Sequence, residues 1–394
     1  MTGHILLTFN PGSSTIKLGL YHFEGDAPER FGGGAIDLRD APLWLRISEG
    51  GRQEEIPLTS EITEDLHDVV AEVLDWLKHH FPAGDITCVG HRVVHGGDLF
   101  TGPALITDAV EEDIAELTPL APLHQPKSLR LIRAVKKLWP GIPQTASFDT
   151  AFHQHQSDVV RRFAIPRNLF DEGIKRYGFH GLSYASIAKR LKASAPELAY
   201  GKVVVAHLGS GASLCGLDGG ISRDTSMGFS TLDGIPMATR CGALDPGVLL
   251  HLLEERGMPL PELDDMLYHR SGLLGLSGIS ADSRDLVGSD DPPAREALDV
   301  FAHRIAQSVA ALATTLGGFD ALVFTAGIGQ HQPLVRSLVC GHLDWLGAAI
   351  DAEANSENRT RIDCAGAKVA VLVLPTDEEQ VIAEEALSVL PGAS

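Results

Sequence analysis

Residues 5–21, Ile5-Leu6-Leu7-Thr8-Phe9-Asn10-Pro11-Gly12-Ser13-Ser14-Thr15-Ile16-Lys17-Leu18-Gly19-Leu20-Tyr21, decide the architecture. Ile5–Phe9 is an apolar strand, Asn10–Ser14 is a turn of small and polar residues, and Thr15–Tyr21 alternates like a returning strand. The segment reads as a β-hairpin. A similar arrangement recurs further on: Val203–Ala206 is apolar, His207-Leu208-Gly209-Ser210-Gly211 is the turn, and Ala212–Leu217 returns. Laid over each other without gaps, Gly12 meets Gly209, Ser13 meets Ser210, Gly19 meets Gly216 and Leu20 meets Leu217. Gly and Ser are common in hairpin turns, so these matches hint at a duplication into two similar α/β halves without proving it.

Between and beyond the hairpins the periodicity is helical. In Asp65–His80 the apolar positions Leu66, Val69, Val70, Val73 and Leu77 share one face, and Phe301, Ile305, Val309, Leu312 and Leu316 do the same in Ala294–Leu316. Gly317-Gly318 should end that second helix. Ala321–Phe324 then reads as a short buried strand running into Thr325-Ala326-Gly327-Ile328-Gly329. Val369–Leu374 is another strand, followed after Pro375 by a last helix over 378–390. Strands alternating with helices give an α/β fold. The expected division is a domain over 1–149, joined by the C-terminal helix at about 380–394, and a second domain over 150–379.

The chain has 394 residues, 44% hydrophobic and 21% charged, with a mean hydropathy of +0.05. That supplies two cores rather than one. The net charge of −20 argues against nucleic acid or an anionic membrane as partner. An anionic substrate therefore needs a local island of Arg, Lys and His. Cys88, Cys215, Cys241, Cys340 and Cys364 are scattered and form no CxxC pair, as expected of reduced thiols in a cytoplasmic protein. Neither a signal peptide nor a stretch of about 20 apolar residues is visible, so a soluble protein is expected.

Several segments could carry chemistry. The turn Asn10–Lys17 can point N–H groups at a phosphate, with Lys17 supplying charge; the alternative is an ordinary hairpin turn. It is not a Walker A motif, because a strand follows where a helix should begin. In Gly90-His91-Arg92-Val93-Val94-His95-Gly96-Gly97, Arg92 is placed for bidentate contact with a carboxylate or phosphate. Two histidines and an arginine so close together are not expected all to be buried, and a polar surface loop is the alternative. Asp149, in Phe148-Asp149-Thr150-Ala151-Phe152-His153, could hold a metal, orient a nucleophile or simply cap a helix. Arg176–Gly181 and Ala238–Gly242 offer further cations beside glycines. Glu378 and Glu379 could just complement a helix dipole. As a set these groups suit phosphoryl transfer, whose catalysis is mostly positioning and charge neutralisation, with carboxylate oxygens suited to Mg²⁺. No G-x-S-x-G elbow supports a serine hydrolase.

Together, Asn10–Lys17, Gly90–Gly97, Leu120–His124, Phe148–His153, Arg176–Gly181 and His207–Ser213 resemble the signatures of acetate kinases. So do Asp224–Gly228, Thr239–Asp245, Ser271–Leu286, Phe324–Gly329 and Pro375–Glu379, in family order across nearly the whole chain. The resemblance implies two duplicated actin-like, ribonuclease H-like domains with nucleotide in the interdomain cleft. It implies ATP or ADP as co-substrate, acetate as acceptor, Mg²⁺ or Mn²⁺ as cofactor, and a homodimer.

By motif, the resemblance gives Asn10 and Glu378 to the metal, and Ser13, Thr15 and Lys17 to the nucleotide phosphates. His207, Leu208, Gly209, Ser210 and Gly211 would cradle phosphate. Asp282, Ser283, Arg284, Gly327, Ile328, Gly329, Gln330 and His331 would frame adenosine. Arg92 and Arg240 would grip the acid and the phosphoryl group, Asp149 would orient the attack, and His180 would stabilise the transition state. Val94, Leu123, Phe179 and Thr231 would line the acid pocket. A carboxylate is already anionic at pH 7, so Asp149 reads as a positioning group rather than a proton abstractor.

The chain departs from the family pattern at Ser210 (usually Asn), Leu182 and Tyr184 (Thr and His), Gln330-His331 (Glu-Asn) and Thr231 (Pro). Rival readings are a propionate or butyrate kinase, a pyrophosphate-dependent enzyme, and an actin-like or chaperone-like ATP-binding protein.

Overall fold

The structure, a computed structural model, describes residues 4–12, 15–24, 27–38, 42–60, 67–81 and 86–390. The chain divides into two compact units, Met1–Phe152 with Asp377–Ser394, and His153–Thr376. Each is built on its own sheet.

In the first unit the strands are β1 (Ile5–Pro11), β2 (Thr15–Glu24), β3 (Ala27–Asp37), β4 (Trp44–Glu49), β5 (Arg52–Pro57), β6 (Ile86–Val93), β7 (Ala104–Leu105) and β8 (Gln144–Phe148). Their order in the sheet is β5-β4-β3-β2-β1-β6-β8-β7. The second unit holds β9 (Lys202–Leu208), β10 (Ala212–Asp218), β11 (Ile221–Thr225), β12 (Ala321–Thr325) and β13 (Ala370–Val373), in the order β11-β10-β9-β12-β13. The same plan recurs within these orders. Three antiparallel strands, β3-β2-β1 or β11-β10-β9, are extended by two parallel ones, β6-β8 or β12-β13. The duplication hinted at by the two hairpins is present as a repeated sheet topology.

The gapless overlay of the hairpins does not hold. Pro11 pairs with Ile16, whereas Leu208 pairs with Ala212, so the first connection is one residue longer than the second. When β1 is matched to β9 with Thr8 on Val205, Gly19 corresponds to Cys215 rather than Gly216. A slip of one residue turns a strand over, so the match at Gly216 is coincidental.

Strand alternation splits the first unit into two layers. Leu7, Phe9, Leu18 and Leu20 face one side and pack with Val69, Val73 and Leu77 of helix His67–His80 and with Leu131 and Val135 of helix Gln125–Leu138. Leu6, Tyr21 and Cys88 face the other side and meet Ala383, Ala386 and Leu387 of the last helix, Glu378–Val389. That helix lies so close to the sheet that a Cβ on Gly90 would come within 2.8 Å of Ile382 Cγ2. In the second unit the long helix is Pro292–Leu316. Its apolar face is buried, and Gly317 (φ 70°) ends it, with Gly318 N–H donating to Ala313 O at 2.8 Å. The helix expected over 65–80 is observed as His67–His80, residues 65–66 lying outside the described ones.

Candidate active site

In the first unit, alternation sorts the ends of three parallel strands. Thr8 pairs with Gly90 and Phe9 with His91, and further along Arg92 pairs with Ser147. On the face turned to the last helix, β1 therefore presents Leu6, Thr8 and Asn10, and β6 presents Cys88, Gly90 and Arg92. Asp149 follows β8 directly. Polar groups collect at the carboxyl ends of these strands, where parallel sheets generally bind ligands.

Arg92 is the hub. Its Nε and Nη2 donate to Asp149 Oδ2 at 3.1 and 2.7 Å, and its Nη1 donates to Asn10 Oδ1 at 3.0 Å. Asn10 Nδ2 in turn donates to Glu378 Oε2 at 2.8 Å and Glu379 Oε1 at 2.7 Å. All five side chains are buried. Burial works against the charge on Arg92, but Asp149, Glu378 and Glu379 outweigh it and hold the guanidinium charged more firmly than usual. Glu379 received no role from the sequence, yet it bonds Asn10 as closely as Glu378 does. Behind Asp149, burial raises the carboxyl of Glu385 to about 7; Ser147 opposes the shift, while Asp149 and Glu384 reinforce it.

Only part of the Gly90–Gly97 motif joins this set. The strand continues to Val93, so His91 points to the opposite face, stacks on Phe9 and meets the Gln144 amide at 2.8 Å. His95 is buried too, its Nδ1 accepting from Gly97 N at 3.0 Å. Burial lowers both histidines to about 4 and keeps them neutral. The expectation that the two histidines and Arg92 would not all be buried is overturned. Lys17 lies opposite Asn10 in the β1–β2 ladder, hence on its face, and is exposed. Thr15 closes the turn through its carbonyl, 2.7 Å from Gly12 N. Ser13 lies outside the described residues. Val94 is buried and Leu123 half-buried.

The second unit assembles a different set. The His180 and His207 rings stack, with centroids 4.3 Å apart and planes inclined by 16°. His180 sits at φ 57°, just before helix Gly181–Ser194. Its Nδ1 lies 2.8 Å from Ser213 Oγ, which lies 2.5 Å from Tyr184 Oη, and Ser183 Oγ is 2.7 Å from His207 Nδ1. The turn after β9 is pinned by Gly209 N to Gly211 O at 3.1 Å, and Ala238 N donates to Ser210 O at 3.2 Å. A Cβ on Gly211 would fall 3.2 Å from His180 Nε2 and 3.9 Å from Arg240 Nη1, so this turn, His180 and Arg240 are neighbours. Arg240 Nη1 donates to Thr231 O at 3.2 Å. Phe179 and Thr231 are buried.

The residues expected around adenosine are placed locally. Asp282 caps helix Ser283–Val287, and Arg284 folds back onto it through Nε at 3.0 Å. Gly327–His331 lie in a short helix, Ala326–His331, that follows β12. The fully buried Arg336 holds that helix by donating from Nη1 to Gly329 O and Gln330 O at 2.8 and 3.0 Å; burial lowers its pKa to about 10. His153, its pKa lowered to about 4 by burial, bridges Ser222 Oγ at 2.8 Å and Phe179 O at 3.0 Å and so fixes the backbone leading into His180. Ser213, Arg336 and His153 were not singled out from sequence. Ser213 faces His207 across the β9–β10 ladder, and that pairing is the signal that marks it.

Residues 5–384 match the acetokinase family. The chain is 46% identical over 395 residues to an acetate kinase of Rhodopseudomonas palustris, covering 98% of this chain and 99% of that one. It is 42% identical to an acetate kinase of Methylocella silvestris, covering 98% of each. Among solved structures, a propionate kinase from Francisella tularensis superposes with a TM-score of 0.89 at 32% identity, covering 98% of this chain and all of that one. An acetate kinase from Porphyromonas gingivalis gives 0.85 at 32% identity, with the same coverage.

Proposed function

Because the chain belongs to the acetokinase family, we propose that it transfers the γ-phosphoryl group of ATP reversibly to the carboxylate of acetate, giving acetyl phosphate and ADP. The observation that carries the reading is Arg92, a buried guanidinium oriented by Asp149 at the ends of three parallel strands. Because an acid with a pKa of about 4 is already an anion at neutral pH, the attack needs no strong base. Asp149 holds Arg92 in the orientation that grips the acid and the phosphoryl group. Arg240 and an N–H of His180 meet the charge that spreads over the phosphoryl oxygens, and the turn His207–Gly211 binds the chain of phosphates. Val94, Leu123, Phe179 and Thr231 shape the acid site. The segments 282–284 and 327–331 frame the adenosine.

Asn10 and Glu378 would hold the divalent cation. The chemistry of the donor set fits: Asp149, Glu378 and Glu379 against Arg92 leave a formal charge of −2 in a buried cluster of hard oxygens. Mg²⁺ or Mn²⁺, when bound, supplies charge neutralisation at the nucleotide phosphates.

A homodimer is part of the reading. Leu244, Val248, Leu250 and Leu260 of the second unit expose large side chains along one stretch of chain, suited to cover by a second copy. Light scattering on the purified chain tests this. Among the described residues no helix is long and apolar enough to cross a membrane. Five free thiols support a cytoplasmic location.

Incubation with acetate and Mg-ATP, followed by trapping of acyl phosphate with hydroxylamine, tests the activity. Acetyl hydroxamate formed with ATP supports it. Formation with pyrophosphate instead of ATP would select the rival donor. Hydrolysis of ATP without hydroxamate would select the chaperone-like reading.

A further inference from the structure

Tyr184 is completely buried, as is Ser213. Its hydroxyl lies 2.5 Å from Ser213 Oγ, and the same oxygen lies 2.8 Å from His180 Nδ1. Three side chains thus form one hydrogen-bonded line that ends on a ring the proposed reaction uses. The direction of its protons follows from donor strength. A phenol, with a pKa of about 10, is a better donor and a poorer acceptor than an aliphatic hydroxyl, so Tyr184 donates to Ser213. The serine hydroxyl, free to rotate, then spends its own proton on His180 Nδ1. A neutral imidazole that accepts at Nδ1 carries its hydrogen on Nε2. Nε2 is the atom that would meet a Cβ on Gly211 at 3.2 Å, so its N–H points to the turn after β9.

We propose that Tyr184 is a positioning residue which, through Ser213, fixes the proton of His180 on Nε2 and aims it at the phosphate-binding turn. The proposal rests on the assignment of His180 to the reaction. The ionisable groups around this ring in the second unit are His207, stacked on it, and Arg240, beside Gly211; His153 meets the Tyr184 ring edge-on at 5.7 Å. His153 is kept neutral by burial. The contact given to Nδ1 is Ser213 Oγ at 2.8 Å.

The test uses Tyr184→Phe, which removes the hydroxyl and keeps the ring, and Ser213→Ala, which cuts the line at its middle without the risk of a large buried change. Each is compared with the unaltered chain by steady-state kinetics and by ¹⁵N NMR of histidine-labelled protein, with His180→Asn used to assign the His180 signal. The expected result is a kcat about tenfold lower in both variants, with KM for ATP and acetate within about twofold, the loss expected for one buried hydrogen bond. The double variant should cost no more than either alone. The His180 nitrogens should shift from the Nε2–H pattern to a mixture of tautomers. A His180 signal unchanged in both variants overturns the proposal, even if turnover falls. An Nδ1–H pattern in the unaltered chain overturns it as well. If His180→Asn retains full turnover, the role of His180 in the reaction fails, while the NMR result still decides whether Tyr184 fixes its tautomer.

Discussion

The two units repeat a sheet order, yet the polar sets at their strand ends are chemically opposite. The first is ionic and buried, with one guanidinium, three carboxylates and an amide in mutual contact. The second is mostly neutral, with stacked histidines, hydroxyls and a Gly turn, and a single arginine held by a backbone carbonyl. A buried ionic network keeps its geometry because separating its members strands charge in a low dielectric. A neutral hydroxyl–imidazole line carries no net charge of its own and aims a donor without adding to the ionic frame. On the function proposed above, the shared topology serves two tasks: one unit holds a fixed charged frame, and the other meets charge that varies along the reaction.

This contrast predicts unequal responses to substitution. Asp149→Asn should do the most damage, because it removes the charge and one of the acceptors that orient Arg92. Turnover should fall by roughly 10²–10⁴-fold in a folded protein, the range typical of a positioned acid. Near-normal turnover in a variant with native circular dichroism would remove Asp149 from the site and end the idea of a fixed frame. Arg240→Ala should come next. Its Nη1 donates to two neutral acceptors, Thr231 O at 3.2 Å and Met237 Sδ at 3.7 Å, rather than to a carboxylate of a charged frame. We expect kcat to fall by about 10²-fold with the KM for ATP within about threefold, as for a donor that acts mainly in the transition state. A raised KM for ATP with unchanged kcat would place Arg240 with the nucleotide instead.

A smaller effect concerns stability. The Glu385 carboxyl is raised from 4.5 to about 7, so the folded state binds its proton more tightly than the unfolded one. Stability from this group is fully present below about pH 4.5 and is lost as pH rises towards 7. Glu385→Gln should remove that loss. Between pH 5 and 7 the unfolding free energy of the unaltered chain should fall relative to the variant by less than about 1.4 kcal/mol per pH unit, the ceiling for one proton. Parallel pH dependences for the two proteins across that range would show that burial does not hold Glu385 protonated in the folded chain.

Most of the fold was legible because its signals are local. Both hairpins, the helix capped by Gly317-Gly318 and the strand Ala321–Thr325 are marked by turn glycines and by period, which need no long-range information. What escaped depends on register. For the motif Gly90–Gly97 the readings were an arginine placed to grip an anion or, as the alternative, a polar surface loop. Because the strand runs to Val93, alternation sends His91 into one core and Arg92 to the other face. The bonds from Asn10 to Glu378 and Glu379 span more than 360 positions, and no local pattern separates two acids that bind a distant amide from two that merely complement a helix dipole. Ser213 was hidden in an apolar strand, where only its pairing with His207 marks it.

The smallest predicted effect tests the neutral unit at Thr231, assigned above to the acid site. Thr231 is buried, and the group that it offers Arg240 is its backbone carbonyl, at 3.2 Å. Proline keeps that carbonyl and loses only the N–H and the hydroxyl, so Thr231→Pro should leave the Arg240 anchor in place. One buried CH₂ is worth only about 0.8 kcal/mol, so apolar contact alone separates acetate from propionate weakly. On the function proposed above, the rest comes from steric limits at the residues assigned to the acid, and Thr231→Pro changes none of Phe179, Val94 and Leu123. We therefore expect kcat/KM in the order acetate, propionate, butyrate for both proteins. The substitution should shift the ratios by no more than about tenfold, equivalent to about 1.4 kcal/mol. A larger shift would mean that the Thr231 hydroxyl or N–H contacts the acid directly, making the neutral unit the source of specificity. A preference for propionate in the unaltered chain would overturn the assignment of acetate and leave the kinase reaction standing.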